Sequence, residues 1–317
     1  MRELDFLSII QSKLSDSSFL GDDCAFLDDL GIYLTQDTLV EDVHFSMYTT
    51  TPYLLGRKSI AVNLSDLAAA LSVPKYVTVS LSMPSKIKSD FVEEFYSGVN
   101  DIANEYGVKV IGGDLTSSDK ITISVCAIGK KEHNFDISRK NAKNGDVVLV
   151  TGYHGLSSAG FYAFSDFLFC DETLKQAHLN PIPRVNEALE LSANISRNIA
   201  VMDSSDGLVD ALYKISLASK HSIEIDINKV PVSDSLREFC SQNNLDYKNF
   251  VKWGGEDFEL VVCVPEDIYQ NINKDKFVCI GKILNKDSNP TLIIKDENKS
   301  EKITKAIFEE NSYKHFK

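Results

Sequence analysis

"SIAVNLSDLAAAL", Ser59–Leu71, is a run of alanine, leucine, valine and isoleucine with Asn63 and Asp66 set in its middle. Its spacing predicts a helix that extends upstream through "TPYLLGRK", with apolar positions at Leu54, Ala61, Leu64, Ala68 and Leu71. Thr51 offers an N-cap, Pro52 the first helical position, and Pro74 stands beyond the end. So apolar a helix belongs in the interior. An ionised carboxylate there is costly unless an opposite charge or a metal meets it. In mid-helix Asp66 caps nothing, so what it meets decides both packing and function.

Working outward, "GIYLTQDTLV" (31–40) and "KYVTVSLSM" (75–83) read as strands on either side of this helix, the second alternating with period two. A helix over 90–106, a short strand "VKVIGG" (108–113) and a strand "ITISVCAIG" (121–129) follow. The polar connector "SRKNAKNGD" (138–146) predicts a boundary, giving domains 1–140 and 141–317. Beyond it come the strand "DVVLVTG", a Gly/Ser loop opening a helix in "YHGLSSAGFYAF", and the Pro-rich turn and helix of "NPIPRVNEALEL". "AVMDSSDGLVDALYKISLAS" reads as strand, polar turn and helix, and "SIEIDIN", "FELVVCVP" and "FVCIGKI" as strands. The expected fold class is α+β, two αβ domains with mixed sheets.

Composition narrows the function. Of 317 residues 43% are hydrophobic, enough for a sizeable core. Six cysteines (24, 126, 170, 240, 263, 279) form no C-x-x-C pair, which argues against a zinc ribbon, a dithiol centre or a disulfide framework. A net charge of −13 argues against nucleic acid as partner. No apolar run approaches a membrane span. The start, "MRELDFLSIIQSKL", carries Glu3 and Asp5 with no apolar signal core, so a cytoplasmic location is expected.

Aspartates recur at strand ends or on apolar helices: Asp22 and Asp23 in "GDDCAFL", Asp37 in "YLTQDTLVEDVHF", Asp66, Asp114 in "VIGGDLTSSD", and Asp203 and Asp206 in "VMDSSDGL". Strand ends are where ligand crevices form in αβ folds. Convergent carboxylates repel unless neutralised, and hard oxygen donors without a His/Cys cluster favour Mg²⁺, which typically bridges carboxylates to substrate phosphates. There is no G-x-x-x-x-G-K-[ST] loop and no kinase-type G-x-G-x-x-G, which disfavours P-loop and protein-kinase chemistry. Residue by residue, plainer roles stay open: Asp22 as a turn residue, Ser205 or Asp206 as a helix cap, His44 donating to a backbone carbonyl, Arg139 as a solvated connector residue, Glu256 and Asp257 as a turn.

In order, "GDDCAFL", "DTLVEDVHF", "AVNLSDLAA", "VIGGDLT", "VMDSSDGL" and "WGGEDFELVV" resemble the motifs of thiamine-monophosphate kinases, relatives of aminoimidazole ribonucleotide synthetase and selenophosphate synthetase. Each motif is weak alone; six in order, from about Leu20 to the terminal "SYKHF", are specific. The resemblance implies ATP- and Mg²⁺-dependent phosphorylation of thiamine monophosphate to thiamine diphosphate, the last step of that biosynthesis. It also implies a homodimer whose N-terminal domains pair into a β-barrel, with a sandwich-like C-terminal domain. Carried over by motif, the metal ligands are Asp23, Thr35, Gln36, Asp37, Asp66, Asp114, Asp203 and Asp206. ATP would meet Tyr106, Gly113, Asp114, Arg139 and Ser205; thiamine monophosphate would meet His44, Glu256 and Tyr313. No residue is assigned as general base or nucleophile. Gln36 stands where Ser or Thr is common, Asp42 where glycine is usual, the stretch before "GDD" lacks a second glycine, and "LAAALSVP" lacks a usual Met-Gly pair. The alternatives are another enzyme of the superfamily using the same acidic ATP site, or a non-catalytic nucleotide or divalent-cation binder.

Overall fold

The computed structural model of the chain describes residues 3–314. His315 and Phe316 of the "SYKHF" motif lie outside them. The N-terminal elements are α1 (Glu3–Lys13), β1 (Ala25–Leu27), β2 (Ile32–Val40), α2 (Pro52–Ala69), β3 (Val73–Met83), α3 (Ser89–Glu105), β4 (Lys109–Ser117) and β5 (Thr122–Lys130). After the connector come β6 (Val147–Val150), α4 (Leu156–Ser165), α5 (Glu172–Leu179), α6 (Val185–Ala193), β7 (Ala200–Asp203), α7 (Leu208–Ser219), β8 (His221–Asp226) and α8 (Asp234–Gln242). The chain continues through α9 (Tyr247–Trp253), β9 (Leu260–Val264), α10 (Glu266–Tyr269), β10 (Val278–Lys286), β11 (Leu292–Asp296), β12 (Lys299–Ile303) and α11 (Lys305–Asn311).

The strands form two mixed sheets, ordered β1-β2-β5-β3-β4 and β12-β11-β8-β10-β6-β9-β7. Pairing is antiparallel except at β3–β4 and β8–β11. The first sheet is open, with β1 and β4 as its edges.

α2 is the hinge of the architecture. The Thr51 hydroxyl accepts the Leu54 N–H at 3.2 Å and Pro52 enters at the first turn, as the sequence predicts. Leu71 in the left-handed region (φ 49°) turns the chain away at the other end. The helix is buried almost all round because it lies between the two sheets, touching β2, β3 and β5 on one side and α6 and β7 on the other. A β-carbon on Gly56 would sit 2.0 Å from the Phe95 carbonyl oxygen, and one on Gly98 1.9 Å from that of Tyr53, so α2 and α3 cross at this distance only with glycine on both. One apolar core therefore runs from Leu64, Val79 and Val125 through to Leu149, Val201 and Val262. A second fills the far face of the larger sheet with α4, α7 and α8, around Val150, Leu212, Leu236 and Cys263.

Two expectations are corrected. The glycine pair 112–113 does not end β4; the strand continues to Ser117, so Asp114 lies within it. A register shift between Val77 and Thr78 absorbs Ile111 as a bulge, and a β-carbon on Gly113 would come 1.8 Å from the Val79 carbonyl oxygen, so the pair fits a close strand approach. Nor is α7 capped by Ser205 or Asp206: Gly207 (φ 108°) takes the N-cap position and offers no side chain.

Candidate active site

Asp66 meets other carboxylates. Asp23, in the loop before β1, Asp66 on α2 and Asp203 at the end of β7 each bring an oxygen within 4.8 Å of the others. Asp37 enters from β2 on the face it shares with Thr35, its N–H donating to Asn63 Oδ1 at 3.0 Å. Asp66 Oδ2 accepts the Thr35 hydroxyl at 2.5 Å; Asp203 accepts Ser65 Oγ at 2.6 Å and Ser205 Oγ at 2.8 Å. Arg139, from the connector, reaches Asp23 Oδ1 at 2.5 Å. Four carboxylates face one guanidinium. Burial raises the pKa of all four: Asp23 to about 7 although Arg139 opposes it, and Asp37 to about 6 with Asp203 and Asp206 adding repulsion. Asp66 rises well above the carboxylate range through burial and then Asp37, Asp203 and Asp23; Asp203 rises less freely, with Ser65 and Ser205 opposing. Such a set of hard oxygens, short of positive charge, fits a divalent cation of the Mg²⁺ kind.

Asp22 holds the connector: its carboxylate accepts the Ser138 hydroxyl and the Arg139 N–H, both at 2.8 Å. Arg139 is thus mostly buried, with its Nε lacking any acceptor among the described residues. A buried N–H left open beside a carboxylate group fits an anion arriving from outside.

Sequence reasoning noted Asn63 without giving it a role and missed Ser65; both share α2 with Asp66 and are fully buried. Asn63 ties the helix to β2, and Ser65 ties it to β7. Their spacing around Asp66 was the available signal.

The other candidates lie further out. Asp206 pairs with Lys214 at 2.9 Å, the same ammonium lying 2.6 Å from Asp210. Gln36 points from the opposite face of β2 to Asp37, its amide donating to Ser124 Oγ at 3.3 Å, so only its backbone faces the carboxylates' side. Asp114 and Gly113 sit on the exposed edge strand β4, three strands and about 14 Å from β2 at ordinary strand spacing. The structure does not bring Asp114 to the other carboxylates of its own chain. Tyr106 follows α3 and donates to the Pro183 carbonyl at 3.4 Å, beside Arg184. His44 Nδ1 accepts the Val40 N–H at 3.1 Å. Asp42, two residues earlier, has φ 62°, which explains why glycine suits that position. Tyr313 is half exposed beyond α11.

Glu256 is no plain turn residue. Its Oε2 lies 3.0 Å from Lys58 Nζ and 3.2 Å from His178 Nδ1, and its N–H donates to the Ser205 carbonyl at 2.6 Å. Asp257 caps α4, accepting the Gly155 and Ser157 N–H groups at 2.6 and 3.0 Å. Two turns of α2 therefore separate the acidic group from a second polar centre at Lys58 and Glu256.

The sequence matches the family profiles described as AIR synthase related protein, N-terminal domain, over residues 21–130, and AIR synthase related protein, C-terminal domain, over 143–274. Thiamine-monophosphate kinase of Bacillus subtilis is 32% identical with both chains covered in full. That of Buchnera aphidicola subsp. Acyrthosiphon pisum is 34% identical over 94% of this chain and 92% of the relative. The chain belongs to the thiamine-monophosphate kinase family. A solved structure of that family, described as AaThiL complexed with AMPPCP and TMP, has a TM-score of 0.86 at 29% identity, covering 99% of this chain and 97% of the other. Arg139 lies between the two profile matches, in residues 131–142, which neither covers.

Proposed function

We propose that this protein transfers the γ-phosphoryl group of ATP to the phosphate of thiamine monophosphate, giving thiamine diphosphate and ADP. The observation that carries the reading is the convergence of Asp23, Asp37, Asp66 and Asp203 beside Arg139, in a chain aligned end to end with thiamine-monophosphate kinases. The acceptor phosphate is largely dianionic near pH 7, its second pKa being about 6, so it attacks without a general base. The reading therefore assigns no residue as general base or nucleophile and favours direct in-line transfer. The difficulty is repulsion between two anions. Bound Mg²⁺ ions would supply charge neutralisation and polarise the transferring oxygens. Asp23, Asp37, Asp66 and Asp203 would hold them, with Asp206 at the rim and the backbone carbonyls of Thr35 and Gln36 beneath. Arg139 and Ser205 would orient the nucleotide phosphates.

A homodimer completes this arrangement. On β4, Val110, Ile111 and Leu115 are 41%, 55% and 61% exposed along an open edge, a liability that proteins cover. A second copy pairing along this edge would close the barrel, shield those side chains, and let Asp114 and Gly113 meet the nucleotide held by its neighbour. Residues 1–140 would then supply the dimer face and most metal ligands, and 141–317 Asp203, Asp206 and the Glu256 region, with His44, Tyr106 and Tyr313 at the rims. No helix of the described residues is long and apolar enough to cross a membrane, and ATP as co-substrate suits the cytoplasm.

The test is direct: incubate the protein with ATP, Mg²⁺ and thiamine monophosphate and measure thiamine diphosphate against ADP. Equal amounts are expected. ATP turnover with no thiamine diphosphate would reject the reading.

A further inference from the structure

Lys58 is 3% exposed and lies on α2, two turns ahead of Asp66. Lysine is seldom found so deeply buried unless it is paired. Its ammonium lies 3.0 Å from Glu256 Oε2, while His178 on α5 brings Nδ1 to the same oxygen at 3.2 Å. Ser157 Oγ, on α4, stands 3.3 Å from that Nδ1. Burial, then the charge of Lys58, depresses the His178 pKa, so the ring is neutral at pH 7 and Nδ1, facing a carboxylate, carries its proton. Burial works against ionised Glu256, but Lys58 and His178 outweigh it and hold the carboxyl down at about 2. Both donors converge on Oε2. Oε1 has no hydrogen bond among the described residues, and the side chain keeps 29% of its exposure.

The backbone is equally constrained. Glu256 has φ 63°, a conformation that glycine adopts freely and glutamate does not, and its N–H is tied to Ser205. Adhesion between α2 and the C-terminal half does not need this arrangement, because Arg57 already reaches Asn180 at the end of α5 at 2.9 Å and Ser65 reaches Asp203 on β7. A buried ion pair is a poor way to add stability where an apolar contact would serve. It is a good way to fix one oxygen of a carboxylate and leave the other open.

We propose that Lys58 and His178 are positioning residues for the acceptor substrate: from two helices they grip Glu256 Oε2 and so hold Oε1 ready for a donor group of thiamine monophosphate. The inference rests on the function proposed above. Lys58 and Glu256 together carry no net charge, so Oε1 selects its ligand by hydrogen-bond donation more than by attraction of a cation. The N–H donor that thiamine monophosphate offers is its exocyclic pyrimidine amino group.

The experiment compares wild type with Lys58→Met, Lys58→Arg, His178→Asn and Glu256→Gln in steady-state assays, varying thiamine monophosphate and ATP separately. Lys58→Met is expected to raise KM for thiamine monophosphate by about tenfold or more, the scale of one lost charge-assisted hydrogen bond, with KM for ATP within about twofold. Lys58→Arg should recover part of the loss, and His178→Asn should show the same split. The 4′-desamino analogue should be disfavoured by wild type and not further disfavoured by Glu256→Gln. Should Lys58→Met fail to fold, the His178 and Glu256 variants carry the test. An unchanged KM for thiamine monophosphate in the variants that fold, or a rise confined to ATP, overturns the proposal. Failure of wild type itself to form thiamine diphosphate instead overturns the functional reading beneath it.

Discussion

Ser65 Oγ on α2 donates to Asp203 Oδ2 at 2.6 Å, joining two residues 138 positions apart in the chain. The bond is fully buried and fixes the one carboxylate of the acidic group that the larger sheet contributes through β7. Ser65→Ala leaves Asp203 with only the Ser205 hydroxyl and a long contact to its N–H. The expected result is a stability loss of about 1–3 kcal/mol in chemical denaturation, together with a higher Mg²⁺ requirement for turnover. Unchanged Mg²⁺ titration would mean that Ser65 only packs.

The carboxylates also make stability depend on pH. Asp23 near 7 and Asp37 near 6 keep protons that an unfolded aspartate, near 3.9, has already released. Folding is therefore favoured below about 4 by these groups, and that advantage is lost as pH rises through 6 and 7. Glu256 runs the other way, but its window, from about 4 down to about 2, lies below. Between pH 5 and 8 in chelator the protein is expected to lose thermal stability. Mg²⁺, which needs ionised ligands, should restore more of it at pH 8 than at pH 5.5 and release protons on binding. Asp257, raised to about 7 by burial, leaves a residual slope that Mg²⁺ does not remove. Equal Mg²⁺ stabilisation at both pH values would refute the assignment.

Asp66→Asn separates function from stability. It puts a neutral amide where burial and the neighbouring aspartates oppose an ionised carboxylate, so the metal-free protein is expected to be at least as stable as wild type at pH 8. Turnover should fall by about 100-fold or more, comparable with the loss of a preorganised transition-state contact. Melting curves beside the product assay decide it: full activity in the variant would remove Asp66 from the site.

Leu115 on β4 is 61% exposed. Leu115→Glu is expected to shift light scattering from dimer to monomer and to lower activity with it, since Asp114 would no longer reach a second copy's nucleotide. A wild type that scatters as a monomer, or a monomeric variant with full activity, would count against a shared site.

What the sequence made legible was local. Thr51, Pro52 and the apolar run define α2 from its own residues, and Asp66 stands out because nothing near it in sequence could satisfy it. β4 was misjudged because a strand exposed along its length carries no alternation, so the glycine pair read as its end. Ser65 and Lys58 were passed over, and Asn63 was noted without a role, for another reason. Serine and asparagine in a helix resemble filler and lysine resembles surface, and only partners far along the chain reveal their work: Asp203, Asp37 and Glu256.

The placement of α2 between both sheets bears on how the molecule comes apart. Neither half closes its interior alone, since Leu64 and Leu67 share one cluster with Val201 and Leu260. Melting should then be a single cooperative event, and a chain severed within 138–146 should yield fragments that aggregate separately and regain structure only when mixed.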